Sequence, residues 1–213
     1  MAKLLIIGAS RGIGLETVKA ALRGGHTVRA LARSAASIPI ENADLEKLAG
    51  NALDSDTIRN ALQSVDAVIQ TLGVDISLRA IFEPTTLFSR STRILVDAMK
   101  AAGVNRLVAV TGLGAGDSRG HGGLLYDAAL FLLLKRVYDD KDVQEWIIRS
   151  SGLDWTIVRP GLLTSGPPAG RYRVLRVPQE WRFGVISRAD VADFLVRHVD
   201  DRTLIGATPL LIN

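Results

Sequence analysis

Lys3-Leu4-Leu5-Ile6-Ile7-Gly8-Ala9-Ser10-Arg11-Gly12-Ile13-Gly14-Leu15 (KLLIIGASRGIGL) decides the fold. Lys3 to Ile7 is a strand-length run, apolar after its first residue, the pattern of a parallel strand buried on both faces. From Leu15 the period changes: Leu15, Val18, Ala21 and Leu22 share one face of a helix running to Arg23, and Gly24-Gly25 stops it. Between the strand and the helix lie Gly8, Gly12 and Gly14. A glycine just after a strand permits a tight turn, and missing Cβ atoms let a pyrophosphate approach the backbone at a helix N-terminus. Alone, such a triplet also reads as an ordinary strand-to-helix turn. Its place between a buried strand and an amphipathic helix points to a nucleotide.

The alternation continues outward. Thr27 to Ala32, Ser64 to Thr71, Arg106 to Thr111 and Trp155 to Arg159 read as strands, the last closed by Pro160-Gly161. Ser91 to Ala102, with Ile94, Leu95, Ala98 and Met99 on one face, reads as a helix stopped by Gly103. Leu124 to Ser151 is a long helical stretch, and Ser187 to Val199 a last helix with Ser187 and Asp190 as a capping pair. Ser34 to Asp54 reads two ways: propensity makes Ala43 to Ala49 helical, while the alternation wants a third strand close to Gly50. Strands alternating with helices at this spacing predict an α/β doubly wound parallel sheet, a three-layer α/β/α Rossmann fold. Its ligands bind at the carboxyl ends of the strands. The chain, 1–213, is read as one domain whose region from about 162 to 213 lies on the substrate side.

Composition narrows the function classes. Of 213 residues, 47% are hydrophobic and 23% charged, which argues against disorder, and no low-complexity tract marks a linker. The absence of cysteine excludes a disulfide framework, a thiolate metal site and a cysteine nucleophile, and fits a reducing compartment. His26, His121 and His198 are scattered, so no metal site is expected. The net charge of +4 reads as a solvated surface, with no nucleic acid partner expected. The N-terminus runs straight into a strand without a secretory pattern. Leu124 to Leu134 contains Asp127 and falls short of the roughly 20 residues a membrane span needs. The expectation is a cytoplasmic protein without a membrane partner, acting on a small molecule, its oligomeric state left open.

About 20 residues past the glycines, an acid would hold the ribose hydroxyls of NAD. The second strand instead ends Leu31-Ala32-Arg33-Ser34. No acid repels a 2′-phosphate there, and Arg33 offers a planar, permanently charged fork, with Arg11 as a second contact. The alternative is two surface arginines; jointly they favour NADP(H) over NAD(H).

The spacing G-x-x-x-G-x-G resembles the fingerprint of the short-chain dehydrogenase/reductase superfamily. Gly50-Asn51-Ala52-Leu53-Asp54, Ala101 to Val108 (AAGVNRLV), Ser151 to Gly161 (SGLDWTIVRPG) and Ile186 to Ala192 (ISRADVA) are similar to strings of its atypical NAD(P)H-binding members, the NmrA-like and biliverdin reductase B (flavin reductase)-like group. The resemblance implies that Gly8, Ser10, Arg11, Gly12, Ile13 and Gly14 surround the phosphates, with Arg33 and Ser34 alongside. It puts Asn51, Ala52 and Leu53 at adenine, Asn51 standing for the usual acid, and Thr71, Leu72 and Gly73 at a ribose. It puts Thr111, Lys141, Pro160, Gly161 and Leu162 around the nicotinamide, and a strand before Gly50.

Main-branch members use a serine and a Tyr-x-x-x-Lys pair. Here Thr111 matches the serine and Lys141 the lysine, but Val137 stands where the tyrosine belongs. Tyr138, three residues before Lys141, shares its helical face and is either a shifted proton donor or structural. Without the relay an alkoxide is a poor intermediate, whereas a flavin, quinone or conjugated tetrapyrrole takes its proton from water. The expected function is therefore an NADPH-dependent reductase of a small conjugated or carbonyl acceptor. The alternatives are an NmrA-like redox sensor without turnover and, more weakly, a sugar-nucleotide epimerase or dehydratase. Gly112 to Gly123 (GLGAGDSRGHGG), six glycines in twelve residues, is either a substrate lid or a disordered connection, and Ser165 to Arg171 the opposite wall. Trp155 and Trp181 read as packing.

Overall fold

The computed structural model describes residues 1–74 and 85–213, without the side chains of 129–131. Its first half holds β1 (Lys3–Ile7), α1 (Gly12–Arg23), β2 (Thr27–Ala32), β3 (Leu45–Ala49), α2 (Ser55–Ala61), β4 (Ala67–Gln70) and α3 (Leu87–Ala102). There follow β5 (Arg106–Val110), α4 (Leu124–Arg149), β6 (Asp154–Pro160), β7 (Leu162–Thr164), β8 (Arg173–Leu175), β9 (Val185–Ser187), α5 (Arg188–Arg197) and β10 (Leu210–Ile212). One eight-stranded sheet runs β3-β2-β1-β4-β5-β6-β10-β8, parallel except for β8. This is the expected doubly wound Rossmann order, and it reverses between β1 and β4, where Ile7 pairs with Leu31 on one side and Gln70 on the other.

Side-chain alternation along the strands makes the three layers. Leu4, Ile6, Ala30, Ile69 and Val108 pack on one face with Val18 and Ala21 of α1 and Val191, Phe194 and Leu195 of α5. Leu5, Ile7, Leu31, Val68 and Leu107 pack on the other with Ile58, Leu95, Met99, Ile147 and Ile148. Both faces are dry, which is why the strands read as continuous apolar runs.

Between the two readings of Ser34 to Asp54, the structure takes the strand. Leu45 to Ala49 pairs with β2 over five residues, from Val28–Leu45 to Ala32–Ala49. Ladder hydrogen bonds on the edge of an existing sheet override the helical propensity of Leu, Glu, Lys and Ala. The short pairs β7–β9 and β10–β8, three residues per strand, carry too little sequence for a period to be legible. Ser187 caps α5, its hydroxyl accepting from the Asp190 N–H at 3.0 Å, as the pair predicts. No helix among the described residues is long and apolar enough to cross a membrane, and no group of His, Asp and Glu among them is arranged to hold a metal.

Candidate functional site

A cavity of about 650 Å³ opens at the carboxyl ends of β1, β2, β4 and β5, where the strand order reverses. Its floor is the glycine turn. Gly8 takes φ +89° and donates to the Leu31 carbonyl at 2.9 Å; a Cβ on it would meet the Thr71 backbone at 3.0 Å. Thr71 is fixed in turn, its N–H and its hydroxyl both donating to the Ile7 carbonyl at 2.9 Å. Gly14 differs from its neighbours: a Cβ there would lie 2.1 Å from the Gly8 carbonyl oxygen, and the residue does not line the cavity. It lets α1 sit on the turn, so its part in the fingerprint is packing. Gly12, at φ +58°, faces outward, with only the Arg188 side chain within 4 Å of where a Cβ would stand. No side chain caps α1 and no acid lies in its first turn, which leaves its N-terminal dipole to an anion.

Gly8, Ser10, Arg11, Gly12, Ile13, Arg33, Ser34, Asn51, Ala52, Leu53, Thr71, Leu72, Gly73, Thr111, Lys141 and Pro160 all line this cavity. Arg33 is exposed at its rim without an ion pair among the described residues. Asn51 uses one lone pair of its carboxamide oxygen locally, accepting from the Leu53 N–H at 3.0 Å, which leaves its NH₂ as a donor.

At the far end the catalytic candidates meet a buried polar system. Lys141 is 8% exposed; its ammonium donates to the Thr111 carbonyl at 2.6 Å and stands 4.7 Å from the Phe88 ring centroid. Burial pushes the Lys141 amine down to about 8, against the opposing pull of Glu145 and Asp140. The Thr111 hydroxyl donates to Glu145 Oε1 at 2.8 Å, so its oxygen offers only lone pairs to the cavity. Glu145 also accepts from Arg159 Nε at 3.0 Å, and the wholly buried Arg159 is paired with Asp117 as well. Glu145 and Arg159 escaped the sequence reading, although an arginine inside the apolar strand Trp155–Pro160 signals a buried partner.

A second, apolar cavity of about 910 Å³ shares Thr111, Pro160, Leu163 and Arg188 with the first. Gly161, Leu162 and Tyr138 line this adjoining cavity and not the first. β6 ends at Pro160, and the chain from Gly161 enters β7, whose Leu163 lines both cavities. Leu124, Leu125, Leu133, Leu134 and Phe183 are among the apolar side chains that line the second. The Tyr138 hydroxyl is hydrogen-bonded to Tyr126, whose O–H donates to the Leu113 carbonyl at 3.2 Å. Burial raises the Tyr138 phenol far above its ordinary range, so it stays neutral. The Lys141 ammonium, 5.9 Å from the Tyr138 ring centroid, bonds to the Thr111 carbonyl.

The glycine-rich stretch fits neither a lid nor a disordered connection in its first half. Leu113 and Ser118 are fully buried, Gly114 donates to Ser118 Oγ at 3.0 Å, and Gly116 to Asp142 Oδ1 at 2.6 Å. Asp117 then ties it to Arg159, and Arg119 to Asp142. Trp181 is buried against the Arg159 guanidinium, 5.0 Å from ring centroid to carbon, as packing.

Residues 8–202 match the NAD(P)H-binding family. The chain belongs to it. Across 204 residues it is 29% identical to YhfK of Bacillus subtilis (strain 168), named an uncharacterized sugar epimerase, covering 94% of this chain and 89% of that protein. Among solved structures, ChuY, an anaerobilin reductase from Escherichia coli O157:H7, superposes with a TM-score of 0.79 at 25% identity, covering 99% of this chain and 96% of the other. A short-chain dehydrogenase/reductase of Veillonella parvula in complex with NADP shares the fold, with a TM-score of 0.80 at 17% identity over 100% of this chain and 94% of that one. The chain described here is thus an NAD(P)H-binding protein with a Rossmann fold. The cavity agrees with a dinucleotide: Gly8 and Gly12, without side chains, and an uncapped helix terminus face the same space.

Proposed function

We propose that this protein is an NADPH-dependent reductase that delivers hydride to a small conjugated acceptor held in the apolar cavity. The observation that carries the reading is the shared edge at Thr111, Pro160 and Leu163, where a polar, glycine-floored cavity meets an apolar one. When bound, the dinucleotide supplies the hydride. The chain's own residues do the rest. Arg33, with Arg11, grips the 2′-phosphate and sets the preference for NADP(H). The N-terminus of α1, with Ser10, Gly12 and Ile13, takes the pyrophosphate, and the Asn51 amide the adenine edge. Lys141, protonated below about pH 8, donates to the ribose beside the nicotinamide. Leucines and Phe183 exclude water from the acceptor, and the neutral Tyr138 lies on the same wall to orient a polar substituent.

The proton comes from solvent. Val137 occupies the tyrosine position, the Thr111 proton is committed to Glu145, and Lys141 is bonded away from Tyr138, so no relay of the main-branch kind is assembled. That arrangement suits acceptors whose reduced form is a stabilised anion: flavins, quinones and bilins. It argues against the epimerase chemistry in the name of the Bacillus relative. The same missing relay is what a sensor without turnover would show, and one assay separates the two. Purified protein with NADPH and a panel of flavins, quinones, bilins and aldehydes should oxidise NADPH with at least one conjugated acceptor and not with aldehydes. Tight NADPH binding without acceptor-dependent oxidation would refute the enzyme and leave the sensor.

A further inference from the structure

We propose that Arg188 is a clamp on the cofactor's pyrophosphate and that, through it, cofactor binding fixes one wall of the acceptor cavity. The inference rests on the dinucleotide reading above and adds an arm to it from the far end of the chain. Arg188 is the first residue of α5, directly after β9, yet it lines both cavities. Its Nε lies 3.9 Å from the point a Gly12 Cβ would occupy, across the open mouth of the glycine turn. Its Nη1 donates to Ser165 Oγ at 3.2 Å, and no carboxylate pairs with it among the described residues. Arg149, Arg159 and Arg197 are all paired with acids.

Position makes that solitude informative. A cation in the first turn of a helix opposes the positive end of the macrodipole, so Arg188 is badly placed for α5 itself. Opposite it stands the uncapped N-terminus of α1. Two sources of positive potential therefore face one cavity edge with no anion of the described residues between them, and a diphosphate satisfies both. With Nη1 on Ser165, the Nε and Nη2 protons of a planar fork remain for the phosphate oxygens.

Ser165 opens the segment Ser165 to Arg171, whose other end is fastened to the same helix. Ala169 and Gly170 donate to the two carboxylate oxygens of the buried Asp190 at 3.0 Å each, and Asp190 accepts from the Ser187 hydroxyl at 2.7 Å. The Asp190 end is thus fixed without ligand; at the other end Thr164 is held in the β7–β9 pair, and the Ser165 hydroxyl accepts from the half-buried Arg188. Phosphate on the free face of Arg188 immobilises the guanidinium and with it that end of the wall.

Titration of the purified chain with NADPH and with NADH, followed by nicotinamide fluorescence, tests the clamp without turnover. Arg188→Ala should weaken both by about 10-fold or more while leaving their ratio unchanged, and Arg188→Lys should recover part of the loss. Thermal midpoints of the unliganded variants report folding separately. Unchanged affinity in a folded Arg188→Ala, or a loss confined to NADPH, would overturn the clamp. For the coupling, NADPH should slow amide hydrogen exchange across Ser165 and Gly166 in the wild type but not in Arg188→Ala at saturating cofactor; equal slowing would overturn it. The reductase reading fails by a different measurement, the lack of acceptor-dependent oxidation, so the two failures are distinguishable.

Discussion

Gly8–Gly14 and Gly112–Gly123 each follow a parallel strand at the same edge of the sheet, and each leads into a helix, but their backbones end differently. The first turn feeds a helix whose N-terminus has no side-chain cap and no acid. The second has its amides taken: Gly114 by Ser118 and Gly116 by Asp142, with Asp117 locked to a buried arginine. Glycine content alone therefore does not make a ligand loop or a lid. What matters is whether the amides and the space above them are left open.

The largest test of that contrast is Glu145→Ala, which removes the main partner of the fully buried Arg159 beneath the second turn. Chemical denaturation should show a loss of about 3 to 5 kcal/mol, since an unpaired buried charge remains. A cost near zero would mean the second turn does not depend on this cluster. Next in size is Gly14→Ala in the first turn, where a methyl 2.1 Å from the Gly8 carbonyl forces the turn open. It should cost about 3 kcal/mol and weaken NADPH at the same time, because packing and binding surface are one structure there.

Lys141→Met, below the start of the second turn, should act in the opposite sense on stability. The amine falls from the ordinary 10.5 to about 8 on folding. Below pH 8 both states are protonated and the fold carries the whole penalty, about 3 kcal/mol; the penalty disappears as pH rises from 8 to 10.5. At pH 7 the variant should gain about 2 kcal/mol after the lost hydrogen bond to the Thr111 carbonyl is counted, and the gain should vanish by pH 10.5. NADPH affinity should fall in the same variant. Stability curves at pH 7 and 10.5 with a cofactor titration check all three. The smallest effect is expected of Arg33→Asp at the rim: NADPH weakened about 10-fold to 30-fold and NADH scarcely. Equal losses would refute Arg33 as the 2′-phosphate contact.

How much was legible follows the same physics. Lys3–Gly14 is local: a buried strand, a turn and a helix face follow one another within a dozen residues, so period and glycine spacing show them directly. Leu45–Ala49 was ambiguous because its strand state comes from pairing with β2, which no local window contains. The cavity residues missed, Arg188, Leu163 and Tyr126 with the Glu145–Arg159 pair below, come from the helices and short strands after residue 120. Strands of three residues carry no period, and an arginine at a helix start reads like any surface cation.

The sequence by itself determined the alternating architecture, the nucleotide turn, the want of a relay tyrosine at Val137 and the absence of cysteine chemistry, since each depends on residue identity and short spacing. Tertiary structure alone decided that Gly14 is packed against the Gly8 carbonyl, that the Thr111 proton is spent on Glu145, and that Tyr138, Gly161 and Leu162 line an adjoining apolar cavity. Those outcomes depend on which distant groups reach within about 3 Å of one another, and hydrogen-bond competition at that range is settled only when the layers close.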